Sequence, residues 1–281
     1  LDASGTVVLS GTQLDNGSFD NCAITTFALD IYSFNCTNLG VNTVLMTVTD
    51  QSGNSNTCSA TVTVEDNAAP TAICQNITVQ LDATGNASIT AADIDNGSND
   101  ACGIASIGAD MTSFDCTNTG ANTVTLTVTD NNGNVSICQS IVTVQDTVAP
   151  IAVCQNVTTY LNATGNATIN AMDLDNGSSD ACGGLTFSAS QTTFNCGTTG
   201  ANNVTLTATD AYGNTATCDA TVTAIDTIAP TAICQNVTYT LPNTLNAQVT
   251  VMPSQLNNGS TDICTGSTFT ISRTVFQHVG T

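Results

Sequence analysis

An 80-residue repeat, marked by cysteines, limits this chain to an array of small domains of one plan. The stretch CQNITVQLDATGNASITAADIDNGSNDAC runs from Cys74 to Cys102, and it recurs as CQNVTTYLNATGNATINAMDLDNGSSDAC from Cys154 to Cys182. A full repeat carries four cysteines, and the period slips by two residues only before Cys264. A period of this size is typical of tandem domains that each repeat one supersecondary unit.

The period divides the chain into four segments. We expect a first repeat without its opening strand, two full repeats and a partial, divergent last repeat, at residues 1–70, 71–150, 151–230 and 231–281. Because Leu1 aligns with Leu81, we also expect the chain to be a window on a longer polypeptide. The odd number of cysteines, 13, is then expected to reflect partners outside this window.

Each repeat reads as a set of short β-strands. The stretch NTVTLTVTD (122–130) places Val124, Leu126 and Val128 on one face and threonines on the other, which predicts a half-buried antiparallel strand. Turn signals such as ATGN, DNGS and DNNGN separate these runs. Six or seven such strands in about 80 residues favour an all-β fold of tandem immunoglobulin-like β-sandwiches. The short linkers EDNAAP, QDTVAP and IDTIAP each contain proline, so we expect the sandwiches to lie end to end as a rod.

The cysteines are expected to form disulfides. A sandwich of this size with no Trp, and with only eight Phe in the whole chain, has a thin core that gains from cross-links. Disulfides would place the chain outside the reducing cytosol, at the cell surface or in the extracellular space. Structural zinc is disfavoured, because the sequence contains no CxxC and only one His.

Four cysteines per repeat allow three ways of pairing. Cys74 opens the first strand and Cys138 the last, and both strand starts should lie at one pole of the sandwich, which leaves Cys102 and Cys116 to pair. Repeated along the chain, the prediction is of intradomain bonds: Cys74–Cys138, Cys102–Cys116, Cys154–Cys218, Cys182–Cys196 and Cys22–Cys36. This scheme leaves Cys264 without a partner, because FDC of the second repeat becomes FQH in the last.

The combined motifs resemble the hyalin-repeat family in its HYR-like form. The resemblance rests on DTVAPIAVCQNVT, DNGSSDACG and TTFNCGTTGANNVTLTATDAYGNTATCDATVTAID, and it covers nearly the whole chain. The last repeat departs from the pattern at Pro242, Pro253 and His278. Such repeats occur in tandem in secreted proteins of Bacteroidetes, including gliding-motility adhesins. The resemblance implies an immunoglobulin-like fold, surface exposure and a role in adhesion or as a spacer, without catalysis.

The charge composition excludes several function classes. The chain has one Arg (Arg273), one His (His278), no Lys and a net charge of −21. Full repeats therefore contain no Ser-His-Asp set and no cationic phosphate clamp, and we expect no enzyme. The negative charge excludes nucleic acid as a partner, and no run is apolar enough for membrane insertion in this segment. We expect His278 to be an exposed strand or turn residue.

Aspartates recur with the period, and two interpretations of them stay open. Asp and Asn start turns by hydrogen-bonding the backbone, which would explain every one of them. Alternatively, loops at the pole facing the previous repeat converge with the preceding linker, and carboxylates gathered there would suit Ca²⁺. The predicted calcium ligands are Asp66, Asp95, Asp100 and Asp130 at one junction, and Asp146, Asp175, Asp180 and Asp210 at the next.

The sequence favours a structural stalk or fibre body of a long extracellular adhesin or filament. Its partners would be neighbouring repeats, identical chains or surface glycans. The alternative is a glycan- or surface-binding module, for which Tyr212 in the loop DAYGN is the aromatic candidate. Candidate glycosylation sites are Asn76, Asn86, Asn96, Asn156, Asn166 and Asn176 in N-x-S/T matches, and Thr147 and Thr227, whose contexts resemble the O-glycosylation signal of Bacteroidetes.

Overall fold

The structure, a computed structural model, describes residues 1–242, 244, 247–264, 266 and 268–277. The chain divides into two compact units, Leu1–Thr147 and Val148–Thr281, and each is described by itself. The expectation for His278 falls outside the described residues. Among the described helices, none has the length and apolar character that a membrane span requires.

Unit 1 contains the first two sequence repeats. The elements of the first repeat are β1 (Thr6–Val8), α1 (Gly11–Leu14), β2 (Ile24–Leu29), β3 (Ser33–Asn35), a 3-10 helix (Cys36–Asn38), β4 (Gly40–Asp50) and β5 (Ser55–Val64). The elements of the second repeat are β6 (Ile77–Gln80), β7 (Asn86–Ser88), α2 (Ala91–Ile94), β8 (Ile104–Ala109), β9 (Ser113–Asp115), a 3-10 helix (Cys116–Asn118), β10 (Gly120–Asp130) and β11 (Val135–Gln145).

Unit 2 contains the third and last repeats. The elements of the third repeat are β12 (Val157–Tyr160), β13 (Asn166–Thr168), a 3-10 helix (Ala171–Leu174), β14 (Thr186–Ala189), β15 (Thr193–Asn195), a 3-10 helix (Cys196–Thr198), β16 (Gly200–Thr209) and β17 (Thr215–Ile225). The described elements of the last repeat are β18 (Gln248–Thr250), α3 (Pro253–Leu256) and β19 (Val275–Gln277).

A full repeat consists of a four-stranded sheet and a two-stranded sheet. In the second repeat the larger sheet has the order β6-β11-β10-β8, and the smaller pairs β7 with β9. The hairpin β10–β11 is antiparallel, whereas β6 lies parallel to β11 with Ile77 opposite Val142. The third repeat has the same arrangement, with the order β12-β17-β16-β14 and the pair β13–β15. The prediction of an all-β fold of sandwich-type repeats is confirmed.

The core lies between the two sheets of each full repeat and follows the period-two pattern. Val124, Leu126 and Val128 of β10 are fully buried, as the alternation predicts, because successive side chains of a strand point to opposite faces. In the third repeat one cluster joins Phe194 and Ala167 of the small sheet to Leu206 of the large one. The core is therefore shared by both sheets, as in a sandwich.

The first repeat lacks one strand of this plan among its described residues. Its large sheet has the order β2-β4-β5 and ends at β5, at the edge where β6 covers β11 in the second repeat. In the last repeat, the described residues form only the two-stranded sheet β18–β19.

Candidate functional site at the junction of the first two repeats

The linker after β5 carries a buried aspartate. Asp66 is only 6% exposed, and its Oδ1 accepts a hydrogen bond from the N–H of Ala68 at 3.1 Å. Its Oδ2 is buried without a hydrogen-bond partner. A buried carboxylate oxygen without a hydrogen bond is costly, so a group that bound this atom would stabilise the junction.

The carboxylate of Asp100, in the second repeat, lies beside that of Asp66. The carboxylate oxygens of Asp66 and Asp100, together with Sγ of Cys102, lie within 4.8 Å of one another. Asp100 Oδ1 also accepts the N–H of Cys102 at 2.8 Å. The chain's only Lys or Arg is Arg273, in the last repeat, so no basic side chain of unit 1 balances the two carboxylates. Hard cations such as Ca²⁺ take six to eight oxygen ligands, and the two carboxylates supply oxygens of the kind that they prefer.

The other two predicted ligands of this junction are turn residues in the structure. Asp95 Oδ1 accepts the N–H of Ser98 at 3.1 Å, and hydrogen bonding by the Ser98 hydroxyl lowers the pKa of Asp95 below its ordinary value. Asp130 Oδ1 accepts the N–H of Asn134, and its Oδ2 accepts Asn134 Nδ2 at 2.7 Å. Of the four, Asp66 and Asp100 are the pair whose carboxylate oxygens lie within 4.8 Å of each other in one cluster.

The pKa of Asp130 is set by two opposing effects. Burial, the largest single effect, raises the pKa, because it removes water from the charged form; hydrogen bonds from Asn134, Asn132 and Gly133 outweigh it, so the pKa lies below its ordinary value. In unit 2, Asp210 is hydrogen-bonded in the same way by Asn214 and Tyr212.

Three further predicted ligands, Asp146, Asp175 and Asp180, belong to the second predicted junction. Asp146 is buried directly after β11. Asp175 Oδ1 accepts the N–H of Ser178 at 3.0 Å, and Asp180 Oδ1 accepts the N–H of Cys182 at 2.8 Å. These contacts are those of turn residues, and the calcium assignment at these positions stays a prediction.

Asn134 ties the linker to the second repeat, a role that the sequence did not reveal. Its Nδ2 donates to the backbone oxygens of Asp66 at 3.0 Å and Ala68 at 3.1 Å, in addition to Asp130. One side chain thus holds both the β10–β11 turn and the linker from the first repeat. The only sequence signal was the recurrence of GN in DNNGN and DAYGN, which reads as ordinary turn chemistry.

Two disulfides lie within repeats, in the pairing that the strand positions favour. Cys74 is bonded to Cys138 and Cys154 to Cys218, with a Cα–Cα distance of 5.8 Å in both. Each bond ties the residue three before the first strand of its repeat to the last long strand.

Two other disulfides join consecutive repeats and correct the predicted pairing. Cys36 of the first repeat is bonded to Cys102 of the second, and Cys196 of the third to Cys264 of the last, with Cα–Cα distances of 5.2 and 4.6 Å. The predicted pairs Cys22–Cys36, Cys102–Cys116 and Cys182–Cys196 are therefore wrong. Cys116 and Cys182 are disulfide-bonded, whereas Cys22, Cys58 and Cys234 are free and exposed.

The predicted pairs are wrong because these cysteines lie against the neighbouring repeat. A Cβ added at Gly5 of the first repeat would lie 2.8 Å from Cβ of Ala101 and 3.0 Å from Sγ of Cys36, so the loop before Cys102 packs on the preceding repeat. Gly165 occupies the equivalent position in the third repeat, where an added Cβ would contact Sγ of Cys196 and Sγ of Cys264. The signal in the sequence was Cys264, because the last repeat has His278 where the predicted pairing needs a cysteine.

The candidate glycosylation residues all lie at the surface. The structure leaves these side chains exposed: Asn76, Asn86, Asn96, Thr147, Asn156, Asn166, Asn176 and Thr227. Asn76 and Asn156 have a structural role as well, since each Oδ1 accepts a backbone N–H of the last long strand, from Ile141 and Thr221, at 2.8 Å.

Comparison with known proteins returns distant structural similarity. No protein-family model and no curated protein matches the chain. Similar solved structures include extracellular cadherin domains 1–4 of protocadherin gamma B7 (11% identity, 76% of this chain and 66% of that chain, TM-score 0.34). Others are mouse clustered PcdhgC3 EC1–3 (12%, 66% and 77%, TM-score 0.31) and three immunoglobulin domains of titin (10%, 66% and 75%, TM-score 0.33). The chain spans about two thirds of the first of these and about three quarters of the other two. Function must therefore be argued from the residues of the chain itself.

Proposed function

We propose that this chain is a structural repeat region, the stalk or fibre body of a long extracellular adhesin or filament, built from HYR-like repeats at 1–70, 71–150, 151–230 and 231–281. The observation that carries the proposal is the pair of disulfides between consecutive repeats, Cys36–Cys102 and Cys196–Cys264. A stalk transmits force from one domain to the next, and a covalent bond beside the linker gives that force a second path.

The disulfides also support an extracellular location, because such bonds persist in oxidising compartments. The exposed Asn and Thr candidates would carry glycans on the outside of such a stalk. Neighbouring repeats of the same chain are the first partners, and the net charge of −21 keeps separate stalks soluble.

Calcium is proposed as the cofactor of the first junction, with Asp66 and Asp100 as its protein ligands. The support is the buried, unpartnered Oδ2 of Asp66 beside a second carboxylate, without a basic side chain in unit 1. Cys102 is not a ligand, because its sulfur is bonded to Cys36. A divalent cation would remove the repulsion between the carboxylates and hold the linker against the second repeat.

Small-angle scattering of the whole oxidised chain tests the stalk. If each repeat advances roughly 30–40 Å, the radius of gyration should be about 30 Å or more. A compact domain of the same length would have about 19 Å. A radius of gyration near 19 Å would overturn the proposal. A radius of about 30 Å or more that decreases when reductant is added would show that the disulfides keep the repeats aligned.

A surface-binding module is the second candidate, and exposed aromatic side chains favour it. Phe19 is 95% exposed in the first repeat and Tyr212 is 46% exposed in the third. Aromatic faces of this kind stack on sugars. Binding of the chain to immobilised glycans that is lost in Tyr212→Ala would support this candidate over a pure spacer.

A further inference from the structure

The turn that carries Asp100 also carries Cys102. Asp100 Oδ1 accepts the N–H of Cys102 at 2.8 Å, and the backbone oxygen of Asp100 accepts the N–H of Gly103 at 3.3 Å. Asn131 fixes the same turn to the second repeat, because its Nδ2 donates to the backbone oxygen of Cys102 at 2.8 Å. A carboxylate and a sulfur are thus held on one short turn, so a displacement of either group moves the other.

Both groups of this turn face the same end of the first repeat. Cys36, which is bonded to Cys102, lies four residues before Gly40. Asp66 lies two residues after Val64. Gly40 and Val64 are opposite each other in the pairing of β4 with β5, so Cys36 and Asp66 belong to one end of that sheet. The turn therefore meets this end at two points, the disulfide and the pair of carboxylates.

The two points oppose each other when the carboxylates face each other without a cation. Oδ2 of Asp66 is buried without a hydrogen-bond partner, and carboxylate oxygens of Asp66 and Asp100 lie within 4.8 Å of each other and of Sγ of Cys102. Like charges at such a distance repel more strongly where water is excluded. This repulsion pushes the turn away from the end to which the disulfide holds it, and a divalent cation between the carboxylates reverses the force.

We propose that calcium at Asp66 and Asp100 and the Cys36–Cys102 disulfide stabilise each other, so that the redox state of the bond regulates the affinity of the site. The inference rests on the proposed calcium function and deepens it, because it makes the two supports of the junction interdependent. Linkage makes the coupling reciprocal: the factor by which the bond raises calcium affinity is the factor by which saturating calcium favours the bond. Couplings between sites are about 5- to 150-fold, and we expect about fivefold or more here.

The bond between the third and last repeats provides a matched control. Cys264 lies on the same kind of turn, since its N–H donates to Asp262 Oδ1 at 2.9 Å, and it is bonded to Cys196. Asp226, the counterpart of Asp66, is only half-buried. Among the residues that the structure describes, these carboxylates and Sγ of Cys264 do not form a cluster like that of the first junction. Calcium should therefore not affect this bond.

The covalent step is exchange with a small disulfide, for which oxidised glutathione is the probe. The Cys36 thiolate attacks that disulfide and releases one glutathione thiolate, and the Cys102 thiolate then attacks the mixed disulfide at the sulfur of Cys36 and releases the second. Two protein thiols are oxidised, one glutathione disulfide is reduced to two thiols, and the two protein thiol protons pass to the thiolates that leave. Calcium favours the product because it holds the turn of Cys102 beside Cys36.

Redox titration of the whole chain measures the effect of calcium on the bond. The chain is equilibrated in mixtures of reduced and oxidised glutathione, with millimolar calcium or with a chelator, then alkylated and mapped by mass spectrometry. Calcium should raise the squared concentration of reduced glutathione, relative to the oxidised form, that half-reduces Cys36–Cys102 by about fivefold or more. The midpoint of Cys196–Cys264 in the same molecules should not change.

The bond within the second repeat separates local coupling from a general gain in stability. Calcium that only stabilised the folded unit would shift the midpoints of Cys74–Cys138 and Cys36–Cys102 equally. The coupling predicts a larger shift for Cys36–Cys102, because only this bond lies beside the carboxylates that calcium joins. The measurement needs no variant, so it decides the question even if removal of the bond prevents folding.

Calorimetric titration with calcium measures the same coupling from the other side. The double variant Cys36→Ser, Cys102→Ser leaves no thiol at the junction. It should bind the calcium that is lost in Asp66→Asn about fivefold or more weakly than the oxidised chain does. The equivalent variant of the bond between the third and last repeats should bind calcium as the unchanged chain does.

The outcomes distinguish failure of the coupling from failure of the calcium site. If the oxidised chain binds no calcium, or if Asp66→Asn leaves binding unchanged, the proposed cofactor and the coupling both fall. If calcium binds through Asp66 with the same affinity whether or not Cys36–Cys102 is present, or shifts Cys74–Cys138 as far as Cys36–Cys102, the calcium site stands and the coupling is overturned.

Discussion

At the scale of single residues, a buried carboxylate oxygen without a partner is a cost that the fold has to offset. Oδ2 of Asp66 is such an atom, and Asp100 adds a second carboxylate within 4.8 Å. The sequence predicted this junction as an acidic centre. It did not separate Asp66 and Asp100 from Asp95 and Asp130, because all four recur with the same period and all four accept a backbone N–H of a nearby residue. Only the fold shows that the carboxylates of Asp66 and Asp100 lie together.

Calcium should stabilise the chain through these two residues. Extracellular calcium modules bind with dissociation constants of about 10⁻⁴–10⁻³ M, so 10 mM calcium should add about 1.4–2.7 kcal/mol to the free energy of unfolding. Asp66→Asn and Asp100→Asn should each reduce that gain in thermal unfolding with and without a chelator. Glu65→Gln removes the same charge from the neighbouring, exposed position and should retain the gain. An equal response of all three variants would contradict the assignment.

Gly165 should be required for the bond between the third and last repeats. Its φ is +73°, and an added Cβ would lie 2.8 Å from Sγ of Cys196. Gly213, with a φ of +92° and open space around it, is the matched control. Both alanine variants should lose about 1–2 kcal/mol from the left-handed backbone, and Gly165→Ala should lose about 1–3 kcal/mol more from overpacking.

Denaturant unfolding measures the two losses, and mass mapping measures the fraction of Cys196–Cys264 that forms. Equal losses in the two variants, with the bond intact in both, would show that the glycine is needed only for its backbone conformation.

At the scale of the elements, alternation and turn chemistry made the strands predictable, whereas cysteine pairing was not. The pattern of NTVTLTVTD is local, so it assigned Val124, Leu126 and Val128 to the core correctly. The partner of Cys102 depends on which repeat packs against its loop. The cysteines recur every 80 residues whether the bonds lie within a repeat or join it to the preceding one, so the recurrence does not identify the partner. The sequence distinguishes the two possibilities only at Cys264, because the last repeat lacks the counterpart of Cys116.

The turn of the β10–β11 hairpin should make stability depend on acid pH. The pKa of Asp130 lies below its ordinary value, which is about 3.9 in an unfolded chain. A lowered folded pKa gives stability that is complete above the unfolded value and is lost as the pH falls through the folded value. The free-energy difference between the wild-type chain and Asp130→Asn should therefore be constant from pH 7 to about pH 5 and shrink below about pH 4.

Urea unfolding at several pH values measures this difference. A gap between the two proteins that stays constant into acid would mean that Asp130 contributes only neutral hydrogen bonding to the turn.

At the scale of the whole molecule, the disulfides between repeats provide covalent continuity that does not depend on the linkers. The bonded cysteines are far apart in sequence, with separations of 66 for Cys36–Cys102 and 68 for Cys196–Cys264. Both intervening segments contain an entire linker. A break in the backbone at either linker should therefore leave the repeats joined, which a stalk under tension requires and a string of independent domains does not.

The scarcity of Lys and Arg allows the covalent connection between repeats to be tested, because trypsin can be made to cut the linkers selectively. The chain has no Lys and only Arg273, so Asn67→Lys and Thr227→Lys, both at exposed linker positions, create the only other trypsin sites. After digestion of the double variant, a denaturing gel without reductant should show one species of nearly full mass, lacking only residues 274–281. Reductant should release fragments 1–67, 68–227 and 228–273. Adding Cys36→Ser should free only fragment 1–67, and adding Cys196→Ser only fragment 228–273. Release of all three fragments without reductant would show that the repeats are linked by the backbone alone, and the covalent argument for a stalk would fail.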